Sequence, residues 1–123
     1  MKRDLGLMRE LLLRIESSEA LNIDLSALVG EDETNAEVGF NLILHTESGY
    51  ISAKIGNNLD GEFHGFENHI TPSGIDYLDS IRDPKIWRSV IERINSLGAG
   101  VAGVALEVVK AIAIDVVKSY LLP

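Results

Sequence analysis

Cysteine is absent from the 123 residues, and aromatic residues make up only 6% of them. The first absence excludes a disulfide framework, a thiolate nucleophile and a thiolate metal site, and it suits a reducing cytoplasm. The second means that a chain 46% apolar builds its core from aliphatic side chains. No apolar run is long. The stretch INSLGAGVAGVAL (94–106) carries no charge, yet it falls well short of the ~20 residues that a membrane-spanning helix needs. MKRDLGLMRELLLRIE at the start is charged throughout and has no apolar h-region, so a secretory signal is not expected.

Positive charge is missing from the middle of the chain. Residues 16–81 hold thirteen acidic side chains and a single base, Lys54, whereas residues 1–15 and 82–123 each sum to +2, which together give the net −8. An acidic centre between mildly basic ends repels polyanions unless folding sorts the charges onto separate faces.

Hydrophobic spacing supplies the elements. Leu5, Met8, Leu12 and Ile15 recur at helical intervals, with Leu11 beside them and Arg3, Glu10 and Arg14 opposite. NIDLSALVG reads as a short extended piece and a helical turn ending at Gly30. Glu31 to Thr34 place acids at the head of a second helix, favourable with its dipole. That helix runs to about Glu47 through Val38, Leu42 and either Phe40 or Ile43, and Gly49 stops it. YISAKI and EFHGFENHI alternate like strands around the turn NNLDG. Thr71-Pro72 and Asp83-Pro84 each announce a further helix, and a last helix covers roughly 100–121. The order is that of a winged helix-turn-helix in an α+β, mainly α chain. It has a small β-hairpin wing, a winged-helix part at 1–97 and a C-terminal apolar helix at 98–123, all within one domain.

MKRDLGLMRELLLRIE, ITPSGIDYLDSIRDPKIW (70–87) and VALEVVKAIAIDVVKSYL together resemble a bacterial and phage-borne family known only as a domain of unknown function. Its members open with MKRD, carry an LTxxGxxFLDxIRDxxxW segment and end in a similar helix. The resemblance implies a winged-helix-like fold and a phage or prophage setting. It implies no catalytic activity and no catalytic residue. The hairpin loop IGNNLDGEFHGFENH departs from the family's pattern.

Several motifs reduce to ordinary structure. GAGVAG (98–103) matches G-x-G-x-x-G but follows a helical segment and has too few residues after it for a βαβ unit. GNNLDGEFHGFE places Asn58, Asp60, Gly61 and Glu67 at calcium-loop positions, but Gly56 stands at the first ligand and strands flank it. His64 and His69 lie five apart on a strand, hence on opposite faces. His45 reads as a partly exposed polar residue. No nucleophile–base or metalloenzyme pattern is present, so neither enzyme activity, cofactor nor metal is expected.

Two surfaces remain. Residues 31–51 occupy the place of a DNA-reading helix, and Asn35 and Asn41 have base-reading side chains, but the charges around them are acidic. Glu31, Asp32, Glu33, Glu37 and Asn41 are therefore the candidate interaction surface for a protein partner. The last helix has an apolar stripe covering about half its circumference, wider than one core contact needs. Val109, Ile112, Ile114, Val116 and Tyr120 are the candidate self-association residues, in a homodimer or larger assembly. The expected function is that of a cytoplasmic, non-membrane protein acting through protein contacts. One alternative is a transcriptional regulator whose DNA meets Lys2, Arg3, Arg82, Lys85 and Arg88. The other is an acidic mimic of DNA aimed at a host nuclease or defence complex.

Overall fold

A computed structural model describes residues 3–18, 23–96 and 105–121, with the backbone alone at 66–68. Helix α1 (Leu5–Ser17) begins where the Asp4 carboxylate accepts the Leu7 amide at 3.0 Å. Leu5, Leu7, Met8, Leu11, Leu12 and Ile15 form its buried face. A single 3-10 turn (Leu25–Leu28), capped by Asp24, buries Leu25 and Leu28. Helix α2 (Asn35–Glu47) opens with a capping box, in which Glu37 N–H reaches the Thr34 hydroxyl and the Glu37 carboxylate accepts Thr34 N–H. Glu31, Asp32 and Glu33 therefore precede the helix rather than open it. Gly49, at φ +79°, turns the chain out of α2.

Strands β1 (Ile51–Asn57) and β2 (Phe63–Ile70) pair antiparallel, from Ile51 opposite Ile70 to Asn57 opposite Phe63, with the register slipping by one between Ser52 and Lys54. The order α1, 3-10 turn, α2, hairpin has a winged helix-turn-helix-like architecture, with the 3-10 turn standing where a second full helix usually lies. Helix α3 (Pro72–Ile81) starts at Thr71, whose hydroxyl accepts Gly74 N–H and donates to Gly49 O, while Thr71 N–H bonds Tyr50 O at 3.0 Å. A Cβ at Gly74 would collide with that same Tyr50 carbonyl. Thr71 and Gly74 thus act as a pair: one hooks the chain leaving the hairpin onto the chain entering it, and the other leaves room for the approach.

The chain divides into two compact units, 1–75 and 76–123, so the boundary falls inside α3. In the second unit, α4 (Pro84–Ser96) starts from an Asp83 cap and pairs with α5 (Leu106–Leu121). Residues 84–96, grouped by the sequence with the winged-helix part, thus belong with the C-terminal helix. Val90 and Ile94 of α4 are buried, as are Leu106, Val109, Ala113 and Val116 of α5. The 3-4-3 spacing of those last four marks a narrow seam. Among the described residues no helix is long and apolar enough to cross a membrane.

Candidate interaction surface

Helix α2 packs with polar side chains on its inner face. Val38, Asn41, Leu42 and His45 are all buried. Both polar atoms of the Asn41 amide are engaged, Oδ1 accepting Asp4 N–H at 2.9 Å and Nδ2 donating to Glu37 O at 2.9 Å. His45 is not the partly exposed residue its polarity suggested. It has no exposed surface, and Nε2 lies 2.8 Å from the Met8 carbonyl. A carbonyl only accepts, so Nε2 carries the proton. Burial pushes the imidazole pKa down to about 4, against the opposing pull of Met8 O. The folded chain therefore refuses a proton that the unfolded chain takes up between about pH 6.5 and 4. Stability is full above that window and falls across it by about 3 kcal/mol.

The second asparagine is also engaged. Asn35 Nδ2 donates to Phe63 O at 2.9 Å and Oδ1 accepts Phe63 N–H at 2.8 Å, so its amide pairs with β2 as another strand would. A Cβ at Gly39 would strike the Phe63 ring, which makes that glycine the site of close packing between α2 and the hairpin. Neither asparagine presents its amide outward for a base edge. Asn41, expected on the interaction surface, belongs to the core because Asp4 needs its oxygen.

Of the four acids expected beside it, Glu33 is likewise structural. Its carboxylate grips Arg14 at both ends (2.6 and 2.7 Å) and accepts Gly30 N–H at 2.8 Å, while Arg14 also donates to Leu28 O. The hydrogen bond to Arg14 holds the Glu33 carboxyl below its ordinary range and raises the guanidinium in turn. That contribution to stability is present above the normal carboxylate pKa and fades as pH falls below it. Glu31, Asp32 and Glu37 are exposed.

What faces outward on α2 was not foreseen. Phe40 and Ile43, one of which was expected inside, are both partly exposed, as is Leu44, and Ala36, Glu37 and Glu47 are exposed around them. The residues at 36, 40, 43, 44 and 47 share one side of a helical wheel. Their spacing was the available signal, but it competes with an equally regular inner set at 38, 41, 42 and 45.

The self-association residues separate in the same way. Val109 and Val116 are buried within the chain and cannot meet a second copy, Ile112 is partly exposed, and Ile114 and Tyr120 are exposed. Tyr120 already bonds Ser89 through its hydroxyl (3.1 Å) and lies under Lys85, whose ammonium is 5.9 Å from the ring centroid. Ser89 and Tyr120 border a cleft of about 360 Å³ with Glu92, Arg93, Ser96, Val116 and Ser119. Its Ser96 and Ser119 hydroxyls donate to carbonyls of their own helices. Among the bases of the regulator alternative, Arg82 is bonded to Asp79 at 2.7 Å, Arg88 is exposed, and Lys2 lies outside the described residues. GAGVAG also lies outside them. The calcium-like segment is a hairpin turn, in which Asp60 Oδ1 accepts Glu62 N–H. No group of three or more metal-binding side chains occurs among the described residues.

Residues 2–101 match the model of a protein family described as "Hypothetical protein (DUF2513)". The chain belongs to this family. No curated protein and no solved structure matches it. Within the DUF2513 chain, several residues of the 70–87 segment that shared in the family resemblance make folding contacts. Thr71 and Gly74 join hairpin to helix, Asp79 holds Arg82, and Asp83 caps α4.

Replacing either asparagine tests this assignment. Asn41→Ala removes the partner of Asp4 N–H and Asn35→Ala removes that of both Phe63 backbone groups, so each variant loses about 0.5–1.5 kcal/mol in urea denaturation. Unchanged midpoints in both would contradict the inward roles.

Proposed function

We propose that this DUF2513 protein is a non-enzymatic, phage- or prophage-borne cytoplasmic protein that acts through protein contacts made by the outward side of α2. One observation carries the reading: the helix in the DNA-reading position buries Asn41 and His45, ties Asn35 to the backbone of β2, and leaves Phe40, Ile43 and Leu44 partly exposed between acids. Apolar side chains ringed by charge are what a protein interface uses. A DNA groove calls for donors to base edges and cations to phosphates that carry one charge per ~1.7 Å. Glu31, Asp32 and Glu37 repel that lattice within a Debye length of ~8 Å.

Fluorescence anisotropy on a labelled random duplex pool at about 150 mM salt, followed by selection for enriched sites, tests the reading. The expected result is no binding and no enrichment. Submicromolar affinity for a selected sequence would put the transcriptional-regulator alternative first. The acidic-mimic alternative rests on charge alone, and its supply is reduced by the engagement of Glu33 with Arg14.

Self-association through α5 is the second part of the proposal. It rests on Ile114 and Leu121, exposed 43% and 74%, which lie seven residues apart on one flank of the helix. Light scattering at high concentration should give a mass above one chain, and Ile114→Lys should lower it without loss of helix. A strict monomer for the unaltered chain would remove this part.

A further inference from the structure

Leu59, at the tip of the hairpin, is fully exposed, more so than any other large apolar residue described. Isolated surface leucines are common and mean little by themselves. This one sits on a braced turn. Asn58 N–H bonds Glu62 O at 2.7 Å, Gly61 N–H bonds Asn58 O at 3.0 Å, and Asp60 Oδ1 accepts Glu62 N–H at 3.0 Å. Gly61, at φ +87°, adopts a conformation that other residues disfavour. The side chain is thus presented from a held backbone, which lowers the ordering cost of burying it in a partner.

Its neighbours in the turn are acidic. Asp60 and Glu62 are exposed on either side of Gly61. Glu62 directly precedes Phe63, whose backbone is clasped by Asn35 in the first turn of α2. Lys54 is the hairpin's lysine, set back on β1.

We infer that the hairpin tip is a docking knob: Leu59 enters an apolar pocket on a partner protein whose rim carries lysine and arginine, and Asp60 and Glu62 meet that rim. The occupant is assigned by charge complementarity. Two exposed carboxylates, Asp60 and Glu62, beside one apolar anchor select a cationic rim and repel both phosphate backbones and anionic lipid surfaces. The inference rests on the protein-contact reading above and adds its anchor and the chemistry of the pocket.

The test places the photo-crosslinker p-benzoylphenylalanine at position 59 of the full chain in its native host. A second version carries it at position 36 on the outward side of α2. Linked peptides are then sequenced. The expected result is one discrete protein adduct from position 59, joined at an apolar residue with lysine or arginine beside it. Asp60→Lys with Glu62→Lys should cut its yield at least tenfold. Leu59→Ser should leave the unfolding midpoint within about 1 °C, because the side chain has no contact to lose. No adduct at 59, an adduct to nucleic acid or lipid, or a yield that survives the charge reversal overturns the knob. An adduct from 36 without one from 59 removes the knob and keeps the α2 reading, whereas silence at both positions removes both.

Discussion

Two hydrogen bonds from the inner face of α2 to the first turn of α1 set the geometry of the N-terminal unit. Asn41 Oδ1 accepts Asp4 N–H, and His45 Nε2–H donates to Met8 O, one turn further on. Both contacts are to backbone atoms, so they fix the rotation of α2 about its own axis, a variable that aliphatic packing leaves loose. With that rotation set, Asn35 reaches the Phe63 backbone and Gly39 accommodates the Phe63 ring. Phe40, Ile43 and Leu44 are left on the outer side. The attachment of the wing and the apolar character of the outer face are thus two consequences of one docking choice.

A buried histidine and asparagine at one helix contact are costly unless satisfied. Asn41 is satisfied on both amide atoms, but His45 is satisfied on Nε2 only, its buried Nδ1 having no partner among the described residues. The imbalance explains why the ring stays neutral: a second proton on Nδ1 would have no acceptor among the described residues. Arg14 and Glu33 brace the other end of the same arrangement by tying α1, the 3-10 turn and the loop before α2 into one ion-paired cluster. An acidic loop that looks solvated in sequence is partly a structural clamp.

The elements were legible from local signals, and their orientations were not. Thr71-Pro72, Asp83-Pro84 and Gly49 mark helix ends through short-range chemistry, and the two strands follow from alternation around NNLDG, whereas the Thr34 cap was passed over for the acids before it. The winged-helix-like order follows from those marks. The rotation of α2 does not, because apolar residues recur at helical spacing on both of its sides, and the deciding partners, Asp4 N–H and Met8 O, are backbone groups 37 residues away. Glu33 was misread for a similar reason, its partner lying 19 residues back on another helix. In α5 the half-circumference of apolar residues overstated the free surface: Val109 and Val116 pack within the chain, while Ile114 stays out. Leu59 gave no sequence signal beyond its place in a turn.

The state of His45 in solution reports most directly on whether α2 is docked by its polar side chains. Nitrogen-15 and proton NMR of the imidazole, followed from pH 7.5 to 3.5, should show a neutral ring protonated on Nε2 that titrates only near pH 4, as the fold itself loses stability. A titration close to the ordinary value of about 6.5, or a proton residing on Nδ1, would mean that the ring is not held against Met8 O and that α2 is rotated otherwise.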